Sequence, residues 1–181
     1  MAITYTGLAA TFRILGTAAT PHNLFTIENT AGSGVIVRVR RLVAQLDATA
    51  VLTSVMPLVK TSRIASSTGT AVLAKGTFDT TQSSAANVIC RGATASDGGA
   101  AAAITATAGD VMWQQYCMRL HTAVGQVLGL ENPLLPTLIE DSPVLLRAGQ
   151  GLLVQVVASA GSSNPNTNHW FVQCVWEEDT P

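Results

Sequence analysis

Three histidines, three cysteines, two acidic clusters and one basic cluster are the residues in this 181-residue sequence whose types suit chemistry. His22, His121 and His169 stand far apart, with no His-x-His pair and no His-Glu-x-x-His, so no metal site is spelled out. Cys90, Cys117 and Cys174 include no Cys-x-x-Cys spacing and are odd in number. They read as buried free thiols of a protein made in a reducing cytoplasm, not as a zinc site or a disulfide framework. Serines lie mainly in loop-like stretches, and no Gly-x-Ser-x-Gly elbow is present to raise one as a nucleophile. Glycoside hydrolysis needs two carboxylates held apart across a substrate. Glu140-Asp141 reads instead as a turn, and Glu177-Glu178-Asp179 as a solvated tail. Gly32-Ser33-Gly34 lacks the Lys and the following helix of a phosphate loop. The sequence therefore predicts no catalytic residues, no metal ligands, no cofactor site and no enzyme.

Arg38, Arg40 and Arg41 form the one basic cluster. Three uses are open to them: keeping a strand edge soluble or pairing across strands, bonding the carboxylates of another subunit or partner, or binding nucleic acid. A net charge of −1 and a pI near 6.3 disfavour nucleic acid. These three arginines are the candidate inter-subunit or partner contacts.

The elements around them read as strands. Residues 11–15 and 23–29 are two short β-prone stretches separated by Thr20-Pro21, and residues 30–34 supply a turn with two glycines able to take positive φ. Val35, Val37 and Val39 then alternate with Ile36, Arg38 and Arg40, a period of two. At Arg41-Leu42-Val43 the alternation slips by one, which is how a β-bulge or a strand end looks in sequence. Residues 51–64 continue β-prone, with Pro57 as a bend or edge. Residues 65–110 form a loop-rich excursion of small residues with short strands expected at 71–74, 87–91 and 103–107. A strand follows at 111–120, then a segment, 122–129, in which Gly125 and Gly129 weaken any helical turn. Pro133 and Pro136 mark an extended connection. Residues 144–147 and 152–158 read as a hairpin-like pair around Ala148-Gly149-Gln150-Gly151. After a Gly/Ser/Asn/Pro loop at 159–167, residues 168–177 close the domain. Trp170, Val172, Cys174 and Trp176 share one face there, the core face, while His169 falls on the other as an ordinary surface or interface histidine.

Eight to ten short strands without long helices predict one all-β domain over residues 1–181, an antiparallel β-sandwich of the jelly-roll kind, with residues 1–10 as an N-terminal arm. Charged residues make up 12% of the chain, about half the usual share. Ala, Thr and Ser account for about a third. A surface so poor in charge is a liability for a free monomer, so copies of the chain or a larger assembly are expected to cover much of it. No apolar run approaches the roughly 20 residues that span a bilayer, and no signal peptide is read at the N-terminus.

Two stretches carry a family resemblance. Asn29-Thr30-Ala31-Gly32-Ser33-Gly34 leading into residues 35–42, and Pro143-Val144-Leu145-Leu146-Arg147-Ala148-Gly149-Gln150-Gly151-Leu152 followed by a closing strand ending Trp176-Glu177-Glu178, resemble phage virion structural proteins. They cover about a third of the chain. The resemblance implies a jelly-roll or related β fold, often a homotrimer, and a place in the virion after synthesis in the host cytoplasm. The first role it implies is capsid decoration, as a cement protein that contacts itself and the major capsid protein. A tail or head-fibre component binding a host receptor or glycan is the alternative.

Overall fold

A computed structural model of the protein describes residues 3–11, 22–48, 58–69, 72–78, 81, 87–92, 104–116, 131–133, 143–157 and 168–179. Among these residues every regular element is a β-strand. In chain order they are β1 (Ile3–Thr11), β2 (His22–Asn29), β3 (Ile36–Ala48), β4 (Leu58–Ile64), β5 (Ser67–Thr68), β6 (Lys75–Thr77) and β7 (Val88–Gly92). There follow β8 (Thr105–Ala106), β9 (Val111–Tyr116), β10 (Glu131–Pro133), β11 (Val144–Leu146), β12 (Gln150–Val157) and β13 (Asn168–Asp179).

The first sheet runs β10-β3-β13-β1-β6, with β11 on the same side of β3 as β10 but farther along it; the second runs β7-β2-β12-β4-β9. All pairs are antiparallel, and the inner faces of the two sheets share one apolar core. The expected all-β antiparallel sandwich is what forms. Its strands pair in a nested order: β1 with β13, β2 with β12, β3 with β10 and β11, and β4 with β9. Residues between β4 and β9 add one strand to each sheet, β6 beside β1 and β7 beside β2.

Alternation explains the core. Trp170, Val172, Cys174 and Trp176 of β13 are fully enclosed, while Phe171, Gln173, Val175 and Glu177 are half-buried on the other face. Removing two tryptophans from water contributes several kcal/mol each. Trp176 stacks on Tyr5 of β1, ring centroids 5.7 Å apart. Gly7 makes room for that indole, since a Cβ there would meet Trp176 Cζ3 at 3.3 Å. On β3, Val37 and Val39 point inward; Val39 then pairs with Trp176 and Arg41 with Val175, leaving Arg40 as an extra residue. This is the expected bulge, and it returns Leu42 and Ala44 to the core.

Two tight corners carry the chain between sheets. The first follows β2, with Gly32 at φ 77° and Gly34 at φ 69°; the second follows β11, with Gly149 at φ 78°. Asn29 ties them together: its Nδ2 donates to the carbonyls of Val35 and Leu146, each at 2.9 Å, and its backbone carbonyl accepts from Gly149 N at 2.8 Å.

The outer face of the second sheet has its own cover, the β5–β8 ribbon. Ser67 donates from its amide and its hydroxyl to the buried Glu28 carboxylate, and its Oγ lies 3.1 Å from Thr26 Oγ1. Asn23 Nδ2 donates to Ile104 O at 2.7 Å and Arg91 Nη1 to Gly69 O at 2.7 Å. Gly109 N donates to Arg63 O at 2.8 Å.

Several sequence expectations change. The expected N-terminal arm is not one: Ile3–Thr11 is β1, held between β13 and β6, with Tyr5 and Gly7 facing the core. Residues 144–147 and 152–158 do not make a hairpin, because β11 pairs with β3 in one sheet and β12 with β2 and β4 in the other. The acidic tail is the end of β13, registered against β3 as far as Asp179 opposite Ile36. In the excursion, β7 and β8 match two expected strands, while the first lies later, at β6, with Val72 making one isolated bridge. The expected features at 12–15, 93–102, 117–120, 122–129, Pro136, Glu140-Asp141 and 159–167 lie outside the described residues.

Candidate functional site

The bulge at Arg40 decides where the arginine cluster points. Arg38 alternates outward from Val37 and Val39, and the extra residue lets Arg40 and Arg41 follow on the same outer face of the first sheet. Their neighbours are the outward carboxylates of β13. Arg38 Nε bonds Asp179 Oδ2. Arg40 donates to Glu177 Oε2 from Nη2 at 2.7 Å and from Nε at 2.9 Å. The carboxylate beside it holds the Arg40 guanidinium firmly charged. Both pairs are diagonal, because Arg38 registers opposite Glu177. The arginine side chains are 37% and 40% exposed, so solvent screens them and each pair stabilises the fold only modestly. Leu145 of β11, 39% exposed, registers opposite Arg38 and adds an apolar step to the same face. The cross-strand use of the cluster is thus realised for Arg38 and Arg40.

Four further reactive groups are buried. Cys90 and Cys174 are free and buried. Burial pushes the Cys90 thiol up to about 12 and raises that of Cys174 as well. Glu178 continues the inward parity of Trp170 to Trp176 and is 7% exposed, with Trp176 Nε1 donating to it at 3.3 Å. Burial, ahead of its other neighbours, pushes its carboxyl above the usual range. Glu28 is enclosed under Ser67. Among the described residues no three of His, Cys, Asp and Glu converge to hold a metal ion.

No protein-family model, no curated protein and no solved structure matches this chain.

The arrangement presents two unlike faces. The second sheet is covered by the chain's own ribbon, whereas the first offers a charged ladder, positive on β3 and negative on β13, beside Leu145. In sequence the acidic triplet reads as a tail, which hides Glu178; extending the β13 alternation by one step finds it. The Glu28–Ser67 pairing joins residues 39 apart in sequence and has no local signal. His22 begins β2 and His169 lies on β13 opposite Asp47, while His121 and Cys117 lie outside the described residues.

Proposed function

We propose that this chain is a structural protein of a bacteriophage particle, a capsid decoration (cement) protein built on a jelly roll. The observation that carries the reading is the nested strand order, β1 with β13, β2 with β12, β3 with β10 and β11, and β4 with β9, once β5 to β8 are set aside as additions. That order supports the jelly-roll reading, and jelly rolls are shared by viral capsid proteins, lectins and cupins. Sparse charge and the resemblance in the two corner segments favour the first of these. In this reading the chain folds in the host cytoplasm, assembles as a homotrimer and sits on the major capsid protein. The arginine ladder of the first sheet, with Leu145, faces a neighbour, because the opposite face is already occupied by the β5–β8 ribbon.

The test compares particles made with and without the chain. Particles lacking it are expected to lose DNA at a lower temperature or under milder osmotic shock. Equal resistance would remove the stabilising role. A tail or head-fibre component binding a host receptor or glycan is the second reading, favoured by the 66% exposure of Phe78, since exposed aromatics stack on sugars. Loss of adsorption with unchanged head stability would select it.

A further inference from the structure

Strand register places five residues of the first sheet's outer face in one row across it. Leu145 of β11 lies opposite Arg38 of β3, Arg38 opposite Glu177 of β13, and Glu177 opposite Thr4 of β1. The chain at β6 extends the row. Thr77 pairs with Tyr5, so Phe78 follows opposite Thr4, and its amide donates to the Thr4 carbonyl at 3.2 Å. Tyr5 faces the core, so alternation turns Thr4 and Phe78 outward. Leu145 and Phe78, exposed apolar side chains at 39% and 66%, mark the two ends. The row therefore reads apolar, positive, negative, polar, apolar.

A face with adjoining stripes of opposite sign fits a copy of itself in one orientation. Set a second copy face to face on the first, turned about an axis parallel to β3 and β13 and midway between them. Its β3 then lies over the first copy's β13, and Arg38 of each copy faces Glu177 of the other. Leu145 of each copy comes over Thr4 of the other, beside Phe78, so the apolar ends are covered in the same step. Turned about the row instead, the copies would set arginine on arginine and carboxylate on carboxylate, which repel.

The bonds within the chain leave these groups capacity for a second partner. Arg38 reaches Asp179 through Nε, and Arg40 takes one oxygen of Glu177, Oε2. A guanidinium carries more donors than one such contact uses, and a carboxylate oxygen pair accepts more than it receives here. Both in-chain pairs are partly exposed, so a covering copy would also shield them from solvent.

We propose that this face docks a second copy of the chain, two-fold and face to face, with Arg38 and Glu177 paired between the copies. The inference rests on the reading that the arginine face meets a neighbour, and it names that neighbour; it does not need the capsid. Being two-fold, the contact links one homotrimer to the next and cannot close one.

Light scattering of the full chain at about 0.1 mM, in low salt (about 30 mM) and high salt (about 500 mM), tests it. The wild-type mass should fall by about half in high salt, where exposed pairs are screened. Arg38→Glu leaves both positions acidic and Glu177→Arg leaves both basic, so each variant alone should show half the wild-type mass in low salt. Mixed in equal amounts, the two variants should recover the wild-type mass, since each position then faces its opposite. Leu145→Ser, a surface change that keeps the charges, should weaken the association by about tenfold. Reversals that leave the mass unchanged overturn the proposal and assign the face to a different protein. A mixture that stays at the single-variant mass overturns it too. If either reversal does not fold, an unweakened Leu145→Ser overturns it equally. The place in a particle is read separately, so a failed two-fold contact leaves the capsid reading standing.

Discussion

Asn29 Nδ2 lies 2.9 Å from the Leu146 carbonyl, joining residues 117 apart in sequence at the point where two corners cross between the sheets. The same amide donates to Val35 O, so one side chain at 1% exposure satisfies both corners. Removing it strands two carbonyls in the interior. Asn29→Leu should cost about 2–4 kcal/mol, read as a lowered urea midpoint with an unchanged slope. Asn29→Asp, whose carboxylate cannot donate, should not rescue it.

Gly151, within β12, and Gly32, in the first corner, have opposite reasons for being small. A Cβ at Gly151 would lie 2.6 Å from the backbone oxygen of Ile27, which cannot swing aside. Gly32 has open space but a φ of 77°. Gly151→Ala should therefore cost about 3 kcal/mol or more, and Gly32→Ala about 1–2 kcal/mol from backbone strain. Thermal unfolding of the two variants checks the ranking.

The Arg40–Glu177 pair is exposed, so it should contribute little to the isolated chain. A double-mutant cycle with Arg40→Ala and Glu177→Ala is expected to give a coupling below about 1 kcal/mol that shrinks in added salt. A larger, salt-resistant coupling would mean that the pair is more enclosed than its geometry indicates.

Cys90 and Cys174 should resist a thiol reagent in the native state, because Cys90 titrates only at about 12 and both sulfurs are enclosed. Peptide mapping after labelling at neutral pH should find both unmodified, and both fully modified in urea. Native labelling at either site would contradict the burial.

Strands β3 and β13 were legible because each has one apolar and one polar face, and even the bulge at Arg40 appeared as a slipped alternation. The corner glycines were legible as turns, but a turn does not say whether the next strand stays in the same sheet. That is why β11 and β12 looked like a hairpin. β1 was hidden because its inward residues, Tyr5 and Gly7, make no apolar stripe: the glycine is there to admit Trp176 from another strand. Of the candidate surface, the arginines were visible. Their carboxylate partners were not, because diagonal pairing depends on a register that distant residues set.

The proposed place in a phage particle is read by mass spectrometry of gradient-purified particles from a lysate in which the chain is expressed. If the proposal holds, the chain is found at a fixed stoichiometry to the major capsid protein, in copies consistent with trimers. Its absence from intact, infectious particles would overturn the proposal.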